Sequence, residues 1–265
     1  MVPGHPHDLS VMSLNLRFGL ADDGPNSWPL RSAAYPDLIN EQPCDFYAFQ
    51  EANDFQVSFL ADLLRDYQFI GQRRPAPDYW QNNVIFYHKH WNCQDRHHFF
   101  LSDTPEVVSQ FSRSRWPRQC TMGTFVQKHR RLTLVNTHFD FNAEVQRRSA
   151  QLICRRLEQL APAWPIILMG DLNAGAGSSC LSVFATYGDG FRSALQSTDF
   201  GTHHGFSGQP QGEAIDWILY HGALHVKKAG IVTGKYGGYF PSDHFPLTAA
   251  FCWESKGPRK NKITF

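Results

Sequence analysis

Short apolar runs separated by polar and turn residues dominate this chain, and few of them are long enough for helices. Residues 9–16, 45–49, 83–87, 121–127, 132–137, 165–169, 214–220 and 247–253 are rich in Val, Ile, Phe and Tyr, and such runs predict strands. Helical periodicity is rarer. Val145, Leu152, Ile153, Leu157 and Leu160 recur at helical spacing among Arg, Glu and Gln and predict a helix over 143–160. Phe55, Phe59, Leu60, Leu63 and Leu64 predict a second over 55–64. The runs 121–127 and 132–137 are joined only by Lys128-His129-Arg130-Arg131, too short for a parallel crossover, so they should form a hairpin. The runs 216–220 and 224–232, separated by a turn containing Gly222, are expected to pair likewise. A parallel barrel needs a helix between successive strands, and here several are missing. The pattern predicts mixed or antiparallel sheets with a few covering helices, most simply a β-sandwich flanked by helices.

Composition narrows this picture. The chain has 265 residues, 42% of them hydrophobic, enough for a sizeable core. Lys and Arg (25) nearly cancel Asp and Glu (24), whereas a protein gripping long stretches of nucleic-acid backbone usually shows a basic excess. Cys44, Cys93, Cys120, Cys154, Cys180 and Cys252 form no Cys-x-x-Cys pair and read as free thiols in a reducing compartment. Neither a signal peptide nor a membrane span is visible, so a soluble, cytoplasmic monomer is expected, with no membrane partner. One domain over 9–254 is expected between an N-terminal tail, 1–8, and a basic C-terminal tail, 255–265, carrying Lys256, Arg259, Lys260 and Lys262.

The candidate chemistry stands at the strand ends. The first run leads into Asn15, the second into Gln50-Glu51, and run 132–137 into His138-Phe139-Asp140. Run 165–169 ends in Gly170-Asp171-Leu172-Asn173, Ile215 precedes Asp216, and Ser242-Asp243-His244 stands just before the last strand. Each block alone has an ordinary reading, such as an Asx turn at Gly170–Asn173 or a structural histidine at His244. Together they supply oxygen ligands suited to a hard cation, Mg²⁺ or Mn²⁺. Paired cysteines and a His-Glu-x-x-His helix are missing, which argues against zinc. Oxygen-bound metal, histidines and an Asp/Asn pair are what in-line attack of water on phosphorus needs.

This ordered set resembles the endonuclease/exonuclease/phosphatase superfamily, which includes deoxyribonuclease I, apurinic-site endonucleases, inositol polyphosphate 5-phosphatases, neutral sphingomyelinases and deadenylases. The resemblance implies an α/β fold, a four-layer β-sandwich of two mixed sheets flanked by helices (deoxyribonuclease I-like). It also implies Asn15 and Glu51 as metal ligands assisted by Asp243, and Asp171 as the residue that orients or deprotonates water. Asn173 would bind the reacting phosphate, Asp216 would hold His244, and His138 would stabilise the pentacoordinate phosphorus. The general base is left open between His244 and Asp171. Abasic-site endonucleases carry an acid where this chain has Arg17 and a Tyr where it has His138, so the likeness favours the deoxyribonuclease I and phosphatase branch.

A finer likeness is to a compact, stand-alone bacterial subgroup. It rests on Asp22-Asp23-Gly24-Pro25-Asn26-Ser27-Trp28 with Arg31, on Trp116-Pro117-Arg118, and on Thr202-His203-His204-Gly205-Phe206, where His203 replaces a usual aromatic residue. Arg31, Arg118, Arg147 and His204 are the expected substrate-binding groups. Converging guanidinium groups would favour a compact phosphoester with more than one anionic group. The alternatives are a DNA or RNA nuclease, with Arg73-Arg74 or Arg113-Ser114-Arg115-Trp116 at the backbone, and a non-catalytic phosphate-binding module. The bland reading of the arginines is surface charge paired with Asp22, Asp23 or Glu144, with Trp28 and Trp116 in the core.

Overall fold

A computed structural model describes residues 8–196 and 199–254. Its strands form two six-stranded sheets. The first runs β11 (Leu224–Ile231), β12 (Leu247–Trp253), β1 (Asp8–Asn15), β2 (Phe46–Ala52), β4 (Asn82–His88), β3 (Tyr67–Ile70). The second runs β5 (Asn92–Phe100), β6 (Gln119–Gln127), β7 (Arg130–His138), β8 (Ile166–Asp171), β10 (Asp216–His221), β9 (Arg192–Ser193). Only β1–β2 and β7–β8 are parallel; every other pair is antiparallel.

Period-two alternation builds the layers. Leu9 and Val11 of β1, Phe46 and Ala48 of β2, Leu132 and Leu134 of β7, Ile167 and Met169 of β8 and Ile218 of β10 share one core between the sheets. Met12, Leu14, Tyr47 and Phe49 point the other way and pack with Tyr35 and Leu38 of α2 (Tyr35–Glu41) and with Val57 and Leu60 of α3 (Asp54–Leu63). Val135, Leu168, Trp217 and Leu219 pack with Ile153 and Leu157 of α4 (Ala143–Leu160) and with Phe184 of α5 (Ser179–Ala185). The result is the four-layer sandwich that the pattern and the resemblance implied.

The same alternation places the chemistry. After Leu9 and Val11 the next inward positions are Ser13 and Asn15; after Leu132 and Leu134 they are Asn136 and His138. After Ile167 and Met169 comes Asp171, and Asp216 precedes Ile218 on the same face. One end of the interior therefore changes from apolar to polar. At the boundary, Gln50 Nε2 donates across the sheets to Asn136 Oδ1 (2.7 Å), and Asn136 Nδ2 donates to the carbonyls of Phe49 and Val84. These bonds satisfy the Asn136 amide and the Gln50 amide nitrogen, whose burial would otherwise oppose folding.

The hairpin over 121–127 and 132–137 forms as β6 and β7, and the helix over 143–160 forms as α4, capped by Asn142, whose side chain accepts from Glu144 N and Val145 N. The second expected hairpin does not form. β10 pairs with β8 and β9, whereas β11 pairs with β12 in the other sheet. The turn at Gly222, with φ +85, carries the chain between layers; turn length limits which strands can pair without requiring that they do. β5 escaped the strand pattern because Asn-Cys-Gln-Asp-Arg-His-His is polar, as suits a sheet edge. The expected N-terminal tail ends one residue early, since Asp8 already pairs with Cys252. The basic tail, 255–265, lies outside the described residues. All six cysteines are free, and among the described residues no helix is long and apolar enough to cross a membrane.

Candidate active site

The two parallel pairs end side by side. Asn15 Nδ2 donates to Glu51 Oε1 (3.1 Å) on its own sheet and to Asp171 Oδ2 (3.0 Å) on the other. Glu51 should face the helices by strict alternation, as Tyr47 and Phe49 do. A register shift between Phe49 and Ala52, with Glu51 at φ +58, turns it toward the site instead. Such bulges re-aim single side chains at sheet ends. Glu51 Oε2 accepts from Phe18 N (2.6 Å). On the second sheet, Gly170 lets β8 approach β7: a Cβ there would lie 1.9 Å from the carbonyl oxygen of Thr137. Asp171 Oδ1 then accepts from Asn173 N (2.9 Å), the Asx turn expected of Gly-Asp-Leu-Asn.

Asp216 Oδ2 lies 2.8 Å from His244 Nδ1 and accepts from Thr202 Oγ1 (2.6 Å). This fixes His244 with Nε2 toward Asp171 Oδ2, 3.8 Å away. His138 Nε2 stands 3.4 Å from the same Asp171 oxygen and 3.1 Å from Asn173 Nδ2. Arg118 Nη1 donates to His138 Nδ1 (3.0 Å). A guanidinium cannot accept a hydrogen bond, so the proton of neutral His138 sits on Nε2, where its acceptor is Asp171 Oδ2 and not the Asn173 amide nitrogen, which is itself a donor.

Electrostatics divides the two histidines. Burial, reinforced by Arg118 and His244, holds His138 well below the usual range, so it is a neutral donor at pH 7. Burial also pulls His244 down, but Asp216, Asp171 and Asp243 outweigh it and raise His244 well above that range. Asp171 is pushed up to about 7, by burial and by Asp216. A charged imidazole and a carboxyl that gives up its proton near neutrality thus stand within reach of one another.

Asn15, Glu51, His138, Asp171, Asn173, Asp216 and His244 are brought into one connected set. Asp243 is linked to it through Arg17, whose Nε lies 3.6 Å from Asp243 Oδ2. Asn15 is placed differently from expectation. Its Oδ1 accepts from Arg17 N (2.8 Å), so it presents nitrogen to Glu51 and Asp171 and joins the two carboxylates as a donor.

Of the expected substrate groups, only Arg118 reaches the cavity beside Glu51 and His138. Arg31 is fully buried, donating to the carbonyls of Pro241 (2.7 Å) and Arg17 (3.0 Å), and so ties together the two loops that flank Asp243. His204 is buried against Phe245, ring centroids 4.0 Å apart, and against Phe240. Arg147 pairs with Glu144 on the exposed face of α4, as the bland reading has it. The several converging arginines are therefore not assembled, because Arg31 and Arg147 satisfy partners of their own.

The cavity, about 340 Å³, is lined by Phe18, Tyr79, Trp80, Trp116 and Pro117 as well as Glu51, Arg118 and His138. Trp28 is in the core, as the bland reading expected, but Trp116 is a cavity wall. Sequence reasoning missed Phe18, Tyr79 and Trp80. The only signal for the last two was an aromatic pair in a loop with no apolar period to absorb it. Thr202, which holds Asp216, lies in the Thr202–Phe206 motif, of which only His204 is an expected site residue.

A sandwich of two sheets whose parallel pairs end in carboxylates, histidines and an Asx turn defines a hydrolytic centre scaffolded by strand termini. The chain belongs to the Endonuclease/Exonuclease/phosphatase family, whose model matches residues 12–244. Members of this family are generally phosphoester hydrolases that use a divalent metal. The chain is similar to a solved endonuclease/exonuclease/phosphatase family protein from Bacteroides thetaiotaomicron, with 26% identity, 95% of this chain and 100% of that one covered, and a TM-score of 0.85. It is also similar to one from Bacteroides vulgatus, with 25% identity, 93% and 99% coverage, and a TM-score of 0.86. A Bacteroides thetaiotaomicron mannosyl-6-phosphatase shares the fold at 24% identity, 92% and 100% coverage, and a TM-score of 0.83. No curated protein matches the chain.

Proposed function

We propose that this chain is a divalent-metal-dependent phosphoester hydrolase, a phosphodiesterase or phosphatase, acting with Mg²⁺ or Mn²⁺. The observation that carries the reading is the Asp216–His244 pair set 3.8 Å from Asp171, which in turn faces His138. Glu51, Asp171, Asp216 and Asp243 put four carboxylates around this centre, against Arg17, Arg118 and a charged His244. That excess of hard oxygen donors fits a hard divalent cation held by Glu51 and Asp243. Asn15 would join through Oδ1 only if its amide turned away from Arg17 N. When bound, such a cation neutralises charge on the phosphate oxygens and activates the ester toward attack.

The protein's own groups divide the remaining work. Asp171, poised near neutrality, accepts a proton from the attacking water as its oxygen bonds to phosphorus. His244, kept charged by Asp216, donates Nε2–H to a non-bridging oxygen. His138, neutral with its proton on Nε2, supplies a second donor, and Asn173 a third. Because Asp171 and His244 stand together, the water lies on their side. In-line displacement sends the departing alkoxide toward the cavity beside Glu51 and His138.

The test is phosphate or alcohol release from a panel of nucleic acids, nucleotides, sugar phosphates, inositol phosphates and choline phospholipids, with Mg²⁺ or Mn²⁺ and with EDTA. Metal-dependent turnover lost in Asp171→Asn is expected. Full activity after rigorous chelation would overturn the metal assignment, and efficient plasmid nicking would favour the nuclease alternative.

A further inference from the structure

The leaving-group side of the centre is not a generic cleft. Two loops from different parts of the chain wall it, one with Tyr79 and Trp80, the other with Trp116 and Pro117; Phe18 comes from beside Glu51. Tyr79 and Trp116 are 66% and 48% exposed, a large apolar expenditure for groups that bury little. Both indoles are braced by guanidinium groups. Arg73 lies 4.5 Å from the Trp80 ring centroid, and Arg115 and Arg118 lie 5.0 and 5.3 Å from that of Trp116. The second loop is pinned from below, where Asp140 Oδ2 accepts from Arg115 N (2.7 Å) and Ser114 Oγ (3.2 Å). The aromatic wall is therefore positioned before any ligand arrives.

Polar chemistry in the wall narrows the occupant. Asn83 Nδ2 is spent on the carbonyl of Gln119, and Gln119 Nε2 on that of Gln81. Glu51 belongs to the reaction centre, and among the described residues no other carboxylate lines the cavity. A polyhydroxylated ring would find few partners here. A flat heteroaromatic ring such as a nucleobase fits better, because it stacks on indole whatever its identity.

We propose that the cavity walled by Trp80 and Trp116 is a base-binding subsite, so that the substrate is a nucleotide-type phosphoester whose nucleobase stacks there while its phosphate meets His138, Asp171 and Asn173. This rests on the hydrolase reading and names its substrate class.

The test compares adenosine 5′-monophosphate with ribose 5-phosphate, which share the scissile bond and the sugar and differ only in the base. Wild-type protein should prefer the nucleotide in kcat/KM by roughly tenfold to a hundredfold, and Trp116→Ala should collapse that ratio, chiefly through KM. Tyr79→Ala, at a still more exposed position, repeats the measurement should Trp116→Ala fold poorly. Calorimetric titration of His244→Ala with the same two compounds and Mg²⁺ reads binding without turnover, and the nucleotide should bind more tightly. Equal kcat/KM for both compounds, a ratio unmoved by Trp116→Ala, or preference for the sugar phosphate would overturn the subsite while leaving the hydrolase intact. Turnover of neither compound, with nucleotide-selective binding retained in His244→Ala, would instead count against the hydrolase reading and support the subsite.

Discussion

The two sheets are the same frame carrying different chemistry. Each has one parallel pair, β1–β2 or β7–β8, followed on the same side by an antiparallel strand, and both pairs end at the site. The first sheet delivers its acid, Glu51, through a bulge and a left-handed residue, and closes it with a backbone donor from Phe18. The second delivers His138 and Asp171 on unbroken alternation, with the close contact at Gly170 bringing β7 and β8 together. Their surroundings differ accordingly. Glu51 opens on the cavity, where a cation and leaving group can reach it. Asp171 and His138 are buried, and burial moves their proton affinities in opposite directions. On the proposed mechanism, a shared scaffold thus separates charge holding from proton handling by how deeply each strand end is sealed.

That division is broken hardest at the proton-handling end. His244→Ala and Asp216→Asn should each lower kcat/KM by about 10³-fold or more, and the double variant by little beyond that, because the pair acts as a unit. Steady-state kinetics on any substrate that wild type hydrolyses decides it, and multiplicative losses would show two independent roles. At the charge-holding end, Glu51→Gln should cost roughly 10²-fold, partly recovered at high Mg²⁺. Calorimetry should show weakened cation binding, and an unchanged metal affinity would remove Glu51 from the ligand set.

A third measurement sharpens the contrast in burial. Asp171 titrates at about 7 in the folded protein against an ordinary 3.8, so the native state binds its proton more tightly than the unfolded chain. Its contribution to stability is complete below the unfolded value and is lost as pH rises through the folded one. In EDTA, the stability of Asp171→Asn relative to wild type should therefore climb between about pH 4 and 7 and level off above, as read from Tm across that range. A flat difference would mean that Asp171 is not desolvated. The smallest effect is expected outside both strand ends: Arg147→Ala should change kcat/KM by less than about twofold, since exposed ion pairs contribute little.

Much of the fold was legible in the chain because alternation is local. The runs that became β1, β7, β8 and β12 follow from which residues are apolar, and the β6–β7 hairpin from a connection too short for anything else. The order of Asn15, Glu51, His138, Asp171, Asn173, Asp216 and His244 was legible too, since each stands where an apolar run ends. β5 was not, because an edge strand needs only one apolar face and its sequence reads as loop. Nor was the path from β10 to β11, since a short turn constrains distance and not which sheet receives the next strand.

The arginines show most plainly what the tertiary structure alone decided. Arg31, Arg118 and Arg147 look equivalent in sequence, each beside a motif. Yet Arg31 is consumed by two carbonyls, Arg147 by Glu144, and only Arg118 meets the site, where it sets the tautomer of His138. Long side chains choose among partners brought together by packing, and those partners lie as far as 210 positions apart, as between Arg31 and Pro241. The aromatic wall has the same origin. Tyr79 with Trp80 and Trp116 with Pro117 become one cavity only after two distant loops are set against Glu51. The sequence by itself determined which residues could carry the chemistry, through short-range pattern and residue type. Which of them share a pocket, and with what charge, depended on distance and desolvation, and those exist only in the folded chain.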